Sequence, residues 1–148
     1  MAIIIKDNIV GKKVYGKNWV FGCDSDEERI VIPNHVEGIM EQAFAFDPPN
    51  NSNANQKVVE FESGGSIIVG PAAFASTFIK EIDFSDSVIE ILDGAFGWCS
   101  HLETVKFRGN LIKIGPKAFH DADRIEELDL PDGLQMIGTQ AFQGCKSL

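Results

Sequence analysis

The chain has 148 residues, 44% of them hydrophobic, enough to furnish the core of one domain. Its 22 acidic against 13 basic side chains leave a net charge of −9, which argues against a nucleic-acid partner, because phosphate binding needs clustered Lys and Arg. No apolar run approaches the roughly 20 residues that span a bilayer, so membrane insertion is not expected, and three cysteines make a poor disulfide framework.

The opening segment MAIIIKDNIV has too short an apolar stretch for an export leader. As given, the sequence therefore reads as cytoplasmic, or as cell-surface or secreted if a leader once preceded Met1. From Ile3 to Phe21, IIIKDNIVGKKVYGKNWVF offers apolar or alternating strand segments broken by Gly11 and Gly16. That pattern predicts a hairpin, and residues 1–28 are expected to cap the rest of the chain. DSDEER, at Asp24 to Arg29, has Arg29 where a calcium loop needs glycine, and it lacks the distal Glu. It reads as a solvated turn.

From residue 29 onward a template recurs: apolar, one residue, apolar, three residues, apolar, two residues, apolar, three residues, Ala-Phe. It fits Ile30, Ile32, Val36, Ile39, Ala43 and Phe44, and again Ile82, Phe84, Val88, Ile91, Ala95 and Phe96. Two further copies run from Val105 to Phe119 and from Leu128 to Phe142. A fifth, starting at Val59 and ending Ala73-Phe74, carries one extra residue in its ESGGS turn. The starts at Val59, Ile82, Val105 and Leu128 lie 23 residues apart, whereas Ile30 to Val59 spans 29. The polar segment DPPNNSNANQ, from Asp47 to Gln56, accounts for the excess and is expected to loop away from the strand face.

Each part of the unit has a physical reading. VVEF, EIDF, TVKF and ELDL alternate as half-buried strands do. Pro33 and Pro131 end two of them, since proline has no N–H for the ladder. Gly70, Gly115 and Gly138 allow a sharp bend. Pro71, Asp93, Pro116 and Thr139 then share one position and read as starts of a short helical turn containing Ala-Phe. One unit cannot bury its apolar face alone, but stacked units can, each about 4.8 Å above the last. The expected fold is an α/β solenoid of about five 23-residue units over residues 29–148. Eight of the 11 phenylalanines occupy two template positions and are expected to stack inside it.

LDLPDGLQMIGTQAFQGCKSL resembles the BspA-type (Treponema-type) leucine-rich repeat, whose unit joins a strand, Pro, Ile-Gly, Ala-Phe and often Cys. WVFGCDSDEERIVIP is similar to the hairpin that often precedes the first repeat of that family. The resemblance covers about residues 19–148. It implies an α/β solenoid, usually a non-enzymatic binding module, with many members acting at microbial or parasite surfaces.

The repeat also accounts for residues that invite chemistry. Cys99 and Cys145 fall where Ala122 and Thr77 fall in other units, so the position asks for a small packing side chain. His35, His101 and His120 occupy different template positions, and none forms a zinc cluster or a Cys-His pair with an orienting carboxylate. Asn50 heads a glycosylation triplet that matters only on a secreted chain. No catalytic, metal or cofactor site is expected. What remains is the outward strand face: Glu60 and Glu62, Glu81 and Asp83, Lys106 and Arg108, then Glu127 and Asp129. It predicts a surface that binds a protein of complementary charge, although Lys106 offsetting Asp83 and Asp129 would equally suit a solvated face. A surface adhesin module of a longer exported protein and a self-assembling structural module, paired through an open C-terminal strand edge, are the alternatives.

Overall fold

The computed structural model describes residues 3–10, 13–23, 29–44 and 57–148, with side chains from residues 18–20, 29–44 and 58–148. The insertion at 47–56 with Asn50, and residues 24–28 of the acidic turn, lie outside the described residues.

Two sheets form the walls of a solenoid. In the first, β1 (Ile3–Val10) pairs antiparallel with β2 (Lys13–Cys23), and β2 pairs in parallel with β4 (Gly38–Ile39). β6 (Ile67–Val69), β8 (Val88–Ile91), β10 (Lys113–Ile114) and β11 (Met136–Ile137) follow as parallel rungs of this 7-stranded sheet. The second sheet has four parallel strands: β3 (Arg29–Ile32), β5 (Lys57–Phe61), β7 (Ile79–Asp83) and β9 (Thr104–Lys106). Its register aligns Ile30 with Val59, Val59 with Ile82, and Ile82 with Val105. In the first sheet Ile39, Val69, Ile91, Ile114 and Ile137 align in turn. Equivalent template positions therefore sit side by side, which is why a one-residue slip would throw a buried row to the surface.

The third side is built from turns, and here the expected helix gives way. No helix occurs among the described residues, so the fold is a β-solenoid of about four turns rather than α/β. The cause is in the backbone. Ala72, Gly94, Lys117 and Gln140, each one residue past the expected helix start, have left-handed φ of 49, 61, 55 and 59°. A right-handed helix cannot continue through such residues. The N–H groups of the first three turn outward to the next coil: Ala72 to Asp93 C=O, Gly94 to Pro116 C=O and Lys117 to Thr139 C=O. Alternate residues close local turns instead, as when Ala73 N–H bonds to Gly70 C=O and Ala95 N–H to Leu92 C=O. The Ala-Phe segment is a third inter-coil ladder.

The repeat glycines are needed for close approach, not for a left-handed bend. A Cβ on Gly70 would stand 2.3 Å from the Ile39 carbonyl oxygen, and one on Gly138 2.3 Å from the Pro116 nitrogen. Bare backbone lets neighbouring coils meet there.

Between the walls the apolar template positions of the first four units are buried, apart from half-buried Ala43 and Phe107, and the phenylalanines form two columns. Phe44, Phe74, Phe96, Phe119 and Phe142 stack with ring centroids 4.5, 5.1, 5.2 and 5.5 Å apart and planes within 8°. Phe61, Phe84 and Phe107 form the second column, at 5.7 and 5.5 Å. The columns meet edge-to-face, Phe84 on Phe96 and Phe107 on Phe119, an arrangement the aromatic quadrupole favours.

The fifth unit is incomplete. It joins the first sheet through β11 and the turn ladder through Thr139, Ala141 and Gln143, but residues 128–130 form no strand. Leu130 stands where Phe61, Phe84 and Phe107 stand, so the second aromatic column ends at Phe107. Leu130 remains 41% exposed.

Candidate strand-face site

Strand alternation sends the odd template residues of the second sheet inward and their neighbours to solvent. Along β3, β5, β7 and β9 the outward side chains become a field of cross-strand ion pairs. Arg29 bonds to Glu60. Lys106 Nζ reaches Glu81 Oε1 at 2.8 Å. Arg108 is bidentate on Asp83, Nε to Oδ1 at 3.1 Å and Nη2 to Oδ2 at 3.0 Å. Exposed pairs of this kind are worth about 0–1 kcal/mol each, so they order the surface more than they hold the fold.

The pairing has a direction. Burial alone would raise the Asp83 carboxyl, but the Arg108 hydrogen bond, the Ser85 amide and the charges of Arg108 and Lys106 hold it below its ordinary value. The Glu81 hydrogen bond and charge raise the Lys106 ammonium. Both cations thus look back toward β7, where Lys106 bonds to Glu81 and lends its charge to Asp83, rather than toward Asp129. Glu62 is tied down differently: its carboxylate accepts from the Asn34 amide at 3.1 Å, closing a corner between coils. Glu127 and Asp129 face the opposite case. Both are exposed, and neither they nor Glu126 makes an ion pair or hydrogen bond among the described residues.

Sequence reasoning places the eight outward residues on this side, and the structure brings together Glu81, Asp83, Lys106 and Arg108. Glu127 and Asp129 are separated from β9 by an open cleft of about 550 Å³. Arg124, Glu126 and Glu103 also line it. Glu103 lies between Lys80 at 3.9 Å and Arg124 at 3.8 Å. These residues precede the strand template, so alternation alone could not mark them. Arg29 was legible only as part of the turn, yet it supplies the β3 cation.

The thiols belong to the interior. Cys99 is fully buried, and its Sγ donates to Phe74 C=O at 3.1 Å beside the Thr77 hydroxyl. Burial pushes the Cys99 thiol up to about 11, against the lesser pull of Thr77. Cys145 makes the matching bond to Phe119 C=O at 3.2 Å, and burial raises its thiol too. Neither is a thiolate nucleophile in this state. No group of three His, Cys, Asp or Glu among the described residues could hold a metal ion. No helix there is long and apolar enough to cross a membrane.

On the turn side one feature escaped the template. Trp98 is 58% exposed with a left-handed φ of 55°, and its indole lies over His120 at 5.4 Å. A bulky residue in that region is uncommon, and only its numbering within the repeat, beside Ser76 and Asp121, could have marked it.

The family model for the BspA type leucine rich repeat region matches residues 17–148 in 6 copies. Two crystal structures are similar in fold. A T. pallidum leucine rich repeat protein aligns with a TM-score of 0.75 at 24% identity, covering 88% of this chain and 60% of that one. A leucine rich cell surface protein from Faecalibacterium prausnitzii A2-165 aligns at 0.74 and 22% identity, covering 94% of this chain and 37% of that one. The chain thus spans 60% and 37% of their lengths. No curated protein sequence matches it.

Proposed function

We propose, since the chain belongs to the BspA-type leucine-rich repeat family, that it is a non-catalytic scaffold whose outward strand face binds a protein. Glu60, Glu62, Glu81, Asp83, Lys106, Arg108, Glu127 and Asp129 would form the contact, with residues 1–28 serving as a cap and 29–148 as the solenoid. The observation that supports this reading is the ordered charge on the second sheet, fixed by the Arg108–Asp83 and Lys106–Glu81 pairs and ending in Glu127 and Asp129, which are unpaired among the described residues. Such a surface suits a partner with a basic face and discriminates against an acidic one. The experiment is capture from a host extract by the unaltered protein and by an Asp83→Lys, Glu127→Lys, Asp129→Lys variant of unchanged melting temperature. One protein lost only with the variant supports the proposal. Equal capture by both overturns it.

A second reading is an adhesin module of a longer exported protein. The Faecalibacterium neighbour is described as a cell surface protein, and this chain spans 37% of it. Under it the compartment is the cell surface rather than the cytoplasm.

A third reading is self-association. Leu130, Met136, Ile137 and Leu148 are 41–55% exposed together on the last coil. Strand β11 is the outer rung of the first sheet. An open edge beside apolar side chains invites a second copy.

A further inference from the structure

Neighbouring coils are joined along three lines, the two sheets and the turn ladder, but the last two coils meet along only two. Between β7 and β9, Glu103 N–H donates to Lys80 C=O at 2.9 Å and Phe84 N–H to Lys106 C=O at 3.1 Å. One 23-residue repeat later the equivalents would be Glu126 N–H to Glu103 C=O and Phe107 N–H to Asp129 C=O. Neither bond forms. The cleft of about 550 Å³ occupies this gap, with β9 on one wall and residues 124–129 on the other.

The gap has the features of a strand-binding slot. Lys106 turns its carbonyl to β7, so alternation sends the Val105 amide and carbonyl into the cleft, where β9 is the sheet's outermost strand. Unpaired edge groups accept an added strand. Its apolar lining is Val105 and half-buried Phe107. The charges are unequal. Lys106 and Arg108 are already engaged by Glu81 and Asp83, whereas Glu126, Glu127 and Asp129 have no partner among the described residues.

We infer that an extended peptide alternating apolar with Lys or Arg residues adds to β9 in this cleft. Its backbone pairs with the free edge at Val105 and Phe107. Its cations meet Glu127 and Asp129, and its apolar side chains cover Val105 and Phe107. The inference rests on the strand-face reading and narrows it to strand addition at one rung.

The test uses the full chain and a fluorescein-labelled Val-Lys-Val-Lys-Val-Lys peptide, followed by anisotropy. Controls are the peptide N-methylated at odd or at even residues, and the version with Glu in place of Lys. Saturable binding is expected. It should weaken at least about tenfold for one methylated peptide, for the Glu peptide, and for Glu127→Gln with Asp129→Asn, but not for Glu90→Gln on β8 of the other sheet. No saturable binding by a protein with an unchanged melt overturns the inference. So does equal binding of both methylated peptides, which would mean charge contact with the face and no pairing at the edge. Slow hydrogen exchange of the Val105 amide in the free protein also overturns it, because residues 126–130 would then close the slot themselves. Peptide failure with continued loss of captured protein in the Lys-substituted variant would overturn the edge inference alone and leave the strand-face proposal standing.

Discussion

Phe119 carries more of the interior than any single position in the template suggests. It is fully buried, stacked between Phe96 at 5.2 Å and Phe142 at 5.5 Å, and touched edge-on by Phe107. Its replacement by Ala removes contacts on three sides at once, and the flanking coils are held apart by their own ladders, so the hole cannot close. Phe119→Ala should cost about 3–5 kcal/mol in denaturant unfolding. A change under about 1 kcal/mol would mean the column is not the core. Cys99 makes the opposite kind of prediction. With its thiol raised to about 11, roughly one molecule in ten thousand is thiolate at pH 7. Peptide-resolved labelling should find Cys99 inert until the chain unfolds, and labelling as fast as an exposed thiol would contradict its packing role.

Ladders rather than loops set the tolerances of each coil. Gly70 sits where a methyl group would meet the Ile39 carbonyl oxygen at 2.3 Å, an obstacle made of backbone that cannot rotate away. Gly70→Ala should therefore destabilise by about 1–3 kcal/mol, and an unchanged melting midpoint would refute the close-approach account. The cross-strand pairs answer to acid instead. Asp83 is held below its ordinary carboxylate value in the fold, so its contribution is present above the unfolded value of about 4 and lost as pH falls through the folded one. Asp83→Asn should thus lose less stability than the unaltered chain between pH 5 and pH 2. Identical acid curves would show that the Arg108 pair carries no linkage.

The strands and the phenylalanine columns were legible in the sequence because a side chain's face follows from alternation and the 23-residue period. The helical turn was misread for a physical reason. Pro71, Asp93, Pro116 and Thr139 suit a helix start, but Lys117 and Gln140 adopt left-handed φ that nothing in their chemistry announces. Lys117 does so because its N–H finds the Thr139 carbonyl on the neighbouring coil, a tertiary bond that no local propensity records, and Gln140 repeats the same turn on the last coil. The missing fifth strand was hidden in the same way. ELDL alternates as well as EIDF does, and only the loss of phenylalanine at Leu130 hinted that the column would stop. Direction of pairing was also unreadable, since Lys106 has acidic neighbours on both sides in the repeat and chooses Glu81.

At the scale of the whole molecule, a stack of near-identical coils concentrates its distinctive chemistry where the repetition breaks. One break is the last coil, where apolar residues and a strand edge are exposed. If that end associates with a second copy, light scattering across a concentration series will show mass rising toward a dimer, and Ile137→Lys will restore the monomer. A constant monomer mass would dismiss self-association. The other break is the charged strand face, on which the proposed function depends. The most direct measurement is site-specific photo-crosslinking in host extract, with a benzoylphenylalanine placed at Glu60, Lys106 or Asp129 on the strand face and at Lys117 or Gln140 on the turn side. The account predicts one common protein adduct from the strand-face positions and none from the turn side. That adduct arising from the turn side, or from neither face, would contradict it.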